Sequence, residues 1–315
     1  MQRRFLFAAK VLITVVLCAT LVRAADWRSV AHHAAEMRLP LLVWALLLFI
    51  PQTLVSAWRW KLLVRPLTQL SLVESLREAL AASALNLVVP AKLGDFSKAA
   101  MLPNVPSTRR KEAGLRAVVE KLSDVGMLLV AIALGFAAIR NSTEAVCIAG
   151  GLLVVVGGTH SWYVARRGNC VLLPFVLTTG LLWLLHFAQL HLFLLCCGVD
   201  VSWAITMQRV PLAIFAGLVP AAFCGIGTRD AALIYLFADS ADASRLAVVG
   251  LLTALRYLVP GAVGIPILWT LRRQRPGTAH DSSPMEQLPP KRPVPSLAIA
   301  NRSLLSRPSV QRVRR

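Results

Sequence analysis

Six stretches of this chain are long and apolar enough to cross a lipid bilayer as helices: residues 5–24, 40–58, 117–139, 145–165, 171–197 and 246–271. A bilayer core takes about 20 consecutive apolar residues per helix, so the pattern points to an all-α polytopic membrane protein. Composition supports this, with 57% of the 315 residues in the AVILMFWYC set and only 16% charged, more apolar surface than a soluble core of this length absorbs. The first span follows Arg3 and Arg4. Val22-Arg23-Ala24 also resembles a signal-peptide cleavage site, so residues 1–24 read either as a span or as a removed leader. Trp58, Arg59, Trp60, Lys61 and Arg65 close the second span and read as a cytoplasmic interface, together with the basic clusters at 109–111 and 166–167. Both termini are then cytoplasmic, in a membrane expected to be the bacterial inner membrane. Arg23, Arg28 and Arg38 on the outside run mildly against that rule.

Two further apolar stretches, about 79–102 and 206–237, cannot be straight spans. The first holds Pro90, Gly94, Lys92, Asp95 and Lys98; the second holds Pro211, Pro220, Gly225, Gly227, Arg229 and Asp230. A continuous helix would place breakers and charges at depth. Short helices meeting at the Pro/Gly turn would return each stretch to its own side as a re-entrant hairpin, which is tolerated where the backbone is buried in protein or lines a cavity. The two units of span, broken hairpin and span would have opposite orientation, and Val89-Pro90-Ala91 is echoed by Val219-Pro220-Ala221. Paired interruptions in two inverted halves point to a transport site at their interface.

Charge is distributed unevenly. The net charge is +19, and residues 272–315 hold ten of the 34 lysines and arginines but two of the 15 acids. That organises the chain as a membrane domain over 1–272 and a basic, Pro/Ser/Arg-rich tail over 273–315, expected to be disordered near anionic headgroups. The tail lacks zinc, helix-turn-helix and RNP patterns, so nucleic acid is not an expected partner. The six cysteines show no metal spacing and read as small buried residues. His186 and His191 are five apart, about 140° around a helix, which is no metal pair. His32 and His33 fall in an outer loop. No metal or cofactor is expected, and GxSxG, HExxH, P-loop and strand-borne GxGxxG motifs are absent from the sequence.

Charged residues inside apolar context are the candidates for function. Asp95 and Lys98 are three apart, on one face if the chain after Pro90 is helical. With Lys92 and the backbone N–H groups near Gly94 they could hold a lipid phosphate; the competing reading is headgroup-level snorkelling. Asn86 would donate to such a phosphate or cap the hairpin. Glu120 and Asp124 are i,i+4, with Lys121 three residues before Asp124. Asp124 lies roughly 12 Å past Arg116 along a helix, so it needs a cation from Lys121, Lys92 or Arg256. These charges serve either as gating pairs or as structural ties. Arg229 and Asp230 close the second hairpin, and Arg256 sits within the last span and seeks a carboxylate.

The run Asn86 to Lys98, with Pro90, Lys92, Gly94 and Asp95 at matching spacing, resembles a motif of the lysylphosphatidylglycerol synthase transmembrane region, also called flippase-like proteins. Glu120-Lys121 with Asp124, Pro220 through Asp230, and Arg256 resemble further motifs of that family, so the likeness covers residues 5–272. Lys92, Lys98 and Lys121 stand where Arg is commoner, Cys224-Gly225 where Gly-Gly is, and Asp230 where Glu is. The resemblance implies translocation of a lipid with a polar headgroup: a phospholipid, aminoacyl-lipid, glycolipid or hopanoid-type lipid. Headgroup contacts would fall to Asn86, Lys92, Asp95, Lys98, Arg229 and Arg256, with Glu120, Lys121, Asp124 and Asp230 as gating pairs. The tail is too short for the family's aminoacyltransferase domain, so catalysis is not expected. Two other classes fit the residues. One is a membrane scaffold for a lipid- or glycan-modifying enzyme such as a glycosyltransferase; the other is an embedded transferase using Glu120 or Asp124 as base.

Overall fold

The computed structural model describes residues 26–165, 172–218 and 227–273, and within them no side chains at 90–92, 156–157, 159–165, 172, 218 and 272–273. Among the described residues the chain is helical throughout. In order come α1 (Trp27–Ala35), α2 (Leu39–Leu47), α3 (Phe49–Val64), α4 (Leu72–Asn86), a 3-10 segment (Pro90–Phe96), α5 (Ser97–Met101), a 3-10 turn (Ser107–Arg109) and α6 (Arg110–Arg140). Then follow α7 (Thr143–Ala165), α8 (Leu172–Cys196), α9 (Trp203–Leu218), α10 (Thr228–Leu236) and α11 (Ala243–Arg273).

Four helical stretches are long and apolar enough to span a membrane: Leu39–Val64, Ser107–Arg140, Leu173–Cys196 and Ala243–Leu271. They correspond to the expected spans at 40–58, 117–139, 171–197 and 246–271. The stretch expected at 145–165 is helical as α7, of which Thr143–Val155 counts as a shorter apolar helix. Residues 5–24 and the tail lie outside the described residues. Large apolar side chains such as Leu39, Trp44, Ile50 and Trp269 are more than half exposed, as a surface in contact with lipid chains requires. This is a multi-pass membrane protein.

Local chemistry sets the helix ends. Ser71 opens α4 with a capping box: its Oγ accepts from the Glu74 amide at 3.1 Å, and Glu74 Oε2 accepts from the Ser71 amide at 2.7 Å. The Ser71 backbone N–H, with help from its hydroxyl, holds the Glu74 carboxyl below the ordinary glutamate range. Asn141 ends α6 in the left-handed region at φ 50°. Pro51, in the first turn of α3, has no N–H to bond back to Leu47, and the helix breaks at Leu48 between α2 and α3. Pro211 does not break α9, which passes through it, a departure from its reading as an interruption. His32 and His33 belong to α1 rather than to a loop, and His33 lies within 3.5 Å of Asp242 at the start of α11.

The first interrupted stretch is interrupted in the backbone. α4 stops at Asn86, the chain turns at 87–89, and the 3-10 segment begins at Pro90. In the second stretch α9 ends at Leu218 and packs against α10; Gly227 precedes α10 at φ 97°, a conformation suited to glycine. Pro220 and Gly225 lie outside the described residues.

Two close helix crossings organise the bundle. α4 runs along α11, where a Cβ on Gly264 would collide with the Leu80 carbonyl oxygen, and one on Gly261 would come within 2.6 Å of Leu87 Cδ1. α9 runs along α6, where a Cβ on Gly135 would lie 2.5 Å from the Gln208 amide nitrogen. Small residues at such crossings let backbones approach, which is how helices associate without hydrophobic drive in lipid. Between α3 and α8, buried Gln52 donates to the Leu185 carbonyl and to Gln189, which donates to the Ala45 carbonyl at 2.8 Å.

Candidate functional site

A cavity of about 170 Å³ lies among these helices, more than ten times the ~10–15 Å³ needed to hold one water. Each helix contributes to it at helical spacing: Gln52, Ser56 and Arg59 from α3; Ala79, Ser83 and Asn86 from α4; Trp183 and His186 from α8; Arg256 and Pro260 from α11. Residues separated by three, four or seven positions share one face, so each of these helices turns one face to the cavity, with Phe49, Leu182 and Ile214 adding apolar lining.

The charges in the cavity form one string. Lys98 Nζ is 2.6 Å from Glu120 Oε2, and Glu120 Oε1 is 2.9 Å from Arg59 Nη2. Arg59 Nη1 lies 2.6 Å from Asp124 Oδ1, and Asp124 Oδ2 is 3.4 Å from Lys121 Nζ. Lys121 also pairs with Asp95, whose Oδ1 accepts from Asn86 Nδ2 at 2.7 Å. Trp183 Nε1 donates to Asp124 at 3.0 Å. Cation and anion alternate along the string, which joins α3, the 3-10 segment, α5 and α6. Burying a lone charge costs several kcal/mol, whereas a carboxylate between two donors recovers much of that cost. Glu120 and Lys98 illustrate the point, at 1% and 3% exposure.

Of the residues singled out from sequence, Asn86, Asp95, Lys98, Glu120, Lys121, Asp124 and Arg256 come together on this cavity. Lys92 belongs to the 3-10 segment, and its side chain is not among those described. Gly94 packs against α4, where a Cβ would meet Asn86 at 2.6 Å, so the Pro90-to-Gly94 break also permits a close approach. Arg229 and Asp230 are not part of the lining. They pair with each other at 2.7 Å, Arg229 stacks 5.4 Å from the Tyr257 ring centroid, and Asp230 accepts from the Gly227 amide.

Arg59 requires a correction. Its neighbours suggested a cation at the cytoplasmic interface, but it is 2% exposed and is the principal partner of Glu120 and Asp124. Trp60 is likewise fully buried, donating to Glu78 at 2.8 Å, with Lys98 over its ring at 4.7 Å. The span runs on to Val64, which draws both side chains inside. Arg256 also departs from expectation, since it pairs with none of Glu120, Asp124 or Asp230. Its Nε is buried without a hydrogen-bond partner, and among the described residues no carboxylate forms an ion pair with it. Arg229, the other cation acting on it, is ion-paired with Asp230 at 2.7 Å, while its Nη1 is buried without a hydrogen-bond partner among the described residues.

His191 makes a 2.9 Å contact with Thr206 and an edge contact with Trp203, a packed core histidine. His186 faces the cavity beside Trp183. Cys196 and Cys197 are buried, as read, but Cys147 is exposed. Among the described residues no cluster of three or more His, Cys, Asp or Glu could hold a metal ion.

A family model described as the lysylphosphatidylglycerol synthase TM region matches residues 7–170. No curated protein matches the chain significantly. The matched residues carry the whole ion string from Arg59 to Asp124, while Arg256 lies beyond them.

Proposed function

Because this chain belongs to the lysylphosphatidylglycerol synthase transmembrane-region family, we propose that it is a lipid translocase, moving a polar-headgroup lipid between leaflets through the charged cavity. The observation that carries this reading is the cavity itself: a charged chamber of mixed polar and apolar lining among apolar spans, with cations contributed by several helices. A chamber of that kind offers a headgroup an alternative to crossing hydrocarbon, while acyl chains stay in lipid.

The architecture proposed with it is an inverted repeat. The first unit comprises α2–α3, the interrupted stretch 79–102 as a re-entrant hairpin, and α6; the second comprises α8, the stretch 206–237, and α11. In support, each interrupted stretch packs on the span of the opposite unit, α4 on α11 and α9 on α6, at glycine in both cases. α3 faces α8 between them. Rocking one unit against the other would open the cavity alternately to each leaflet. We place the protein in the bacterial inner membrane with both termini cytoplasmic and the tail of 273–315 near anionic headgroups. Asn86, Lys98 and Arg256 would meet the headgroup, with Lys92 adjoining, and Glu120, Lys121 and Asp124 would hold or gate them.

The test uses proteoliposomes with fluorescent phosphatidylglycerol reduced from outside by dithionite, with total lipid followed by mass spectrometry. Wild type is expected to speed loss of the inner-leaflet signal without changing lipid mass, and Ser83→Trp, which fills the cavity, to abolish that gain. Rates equal to protein-free vesicles across several headgroups would sink the reading and favour a scaffold, and a new lipid mass would make the protein an enzyme.

A further inference from the structure

A second groove, of about 440 Å³, lies between α6 and α7 and shares no lining residue with the charged cavity. Its volume falls in the ~300–1,000 Å³ range of small-molecule sites. The two helices meet along Val130, Ala133 and Ala149, and these small side chains leave a cleft beside the contact. Leu129, Ile132 and Phe136 of α6 line one side of it at i, i+3 and i+7, and Ile148 and Leu152 of α7 line the other. One end is polar: Arg140 closes α6, and Glu144 stands in the first turn of α7. From Leu129 to Arg140 is roughly 16 Å of helix at ~1.5 Å per residue, about half of the ~30 Å hydrocarbon core. Arg140 also ends the apolar stretch Ser107–Arg140, so the groove runs from the membrane face at the α6–α7 turn to about mid-bilayer, the depth of one leaflet. We propose that it binds one zwitterionic phospholipid whose headgroup joins a phosphodiester to a primary ammonium, with an acyl chain lying along α6 and α7.

Shape and charge both select this occupant. Spread over its length, the groove's 440 Å³ is a mean cross-section of roughly 28 Å². A helix about 10 Å across needs roughly 80 Å², so a hydrocarbon chain fits where a partner helix does not. At the rim, Arg140 and Glu144 are four residues apart and exposed, yet among the described residues no ion pair joins them; Arg140 lies 6.0 Å from the Phe136 ring centroid instead. Their places at a helix C-terminus and a helix N-terminus suit the two helix dipoles, which accounts for the charges but not for the cleft beneath them. A phosphodiester meets the parallel N–H donors of Arg140, and a primary ammonium donates to Glu144. A quaternary ammonium has no N–H to donate. An anionic glycerol headgroup offers the carboxylate no counter-charge.

Full-length protein in detergent would be titrated with phosphatidylethanolamine, phosphatidylcholine and phosphatidylglycerol of identical acyl chains, with bound copies counted by native mass spectrometry. Because lipid also meets the charged cavity in the proposed translocase, the groove is isolated by difference, wild type against Ile148→Trp, which fills it. In that difference phosphatidylethanolamine is expected to exceed each of the other two about threefold or more, the scale of an exposed ion pair. Glu144→Gln should bring phosphatidylethanolamine down to the phosphatidylcholine level, and Arg140→Gln should lower both. Both residues are exposed at a turn, and an unchanged elution profile confirms the fold of each variant. Equal retention of the three lipids, no loss in Ile148→Trp, or a preference that survives Glu144→Gln would overturn the proposal. A wild-type dimer that Ile148→Trp dissociates would overturn it too, and would give the groove to a second copy of the chain.

Discussion

Two arginines placed within the membrane have opposite energetics. Arg59 satisfies two carboxylates, so Arg59→Met leaves Glu120 and Asp124 short of a cation and should cost about 3–5 kcal/mol, read as a lowered unfolding midpoint in detergent. Arg256 pairs with no carboxylate among the described residues, so Arg256→Met should hold or raise the same midpoint. A fall as large as that for Arg59 would mean Arg256 has a protein partner. Sequence reasoning found Glu120, Lys121, Asp124 and Arg256 because a charge within an apolar run is anomalous wherever it points. It missed Arg59, which sits at the end of its run among Trp58, Trp60 and Lys61 and looks like an interfacial cation. A clue was present: Gln52, Ser56 and Arg59 recur at i, i+4 and i+7 on an otherwise apolar helix. The pairing itself was not legible, because which carboxylate meets which cation depends on how α3 packs against α6.

At the scale of helices, close crossings and caps separate cleanly. Gly135 and Gly264 sit where another backbone passes, so Gly135→Ala or Gly264→Ala should destabilise by about 1–3 kcal/mol through overpacking. Gly114, also in α6, has open space around its Cα, and Gly114→Ala should stabilise by up to about 1 kcal/mol from helix propensity. Equal effects at all three positions would contradict the crossings. The capping box of α4 is testable separately. Ser71→Ala should cost about 1 kcal/mol. Because the folded-state pKa of Glu74 is depressed, its stabilisation is complete above the ordinary glutamate value and fades as pH falls through the folded one. Midpoints of wild type and Glu74→Gln should therefore converge on acidification. Four apolar spans and the break at Pro90 were readable from run length and breakers. The continuity of α9 through Pro211 was not, since a proline inside a helix is tolerated when neighbouring helices supply the packing.

For the whole molecule, the order of spans and interruptions suggested two opposed halves, and the crossing of each interrupted stretch with the other half's span supports that plan without having been legible in one sequence. Contacts between distant helices leave no local mark beyond small residues such as Gly135, Gly261 and Gly264. The unpaired guanidinium of Arg256 has a consequence for energetics across the bilayer. In the proposed translocase the described residues of the empty site carry one net positive charge, which an anionic headgroup would neutralise. A membrane voltage then acts on the return of the empty carrier and leaves the loaded step untouched. An interior-negative potential draws the empty site inward with about 2.3 kcal/mol per 100 mV, so it should drive anionic lipid outward with no nucleotide consumed. In the proposed translocase, imposing a potassium diffusion potential with valinomycin on the proteoliposomes should speed outward exchange of an anionic lipid in wild type through the return of the empty site, whereas in Arg256→Gln the voltage acts on the loaded step instead.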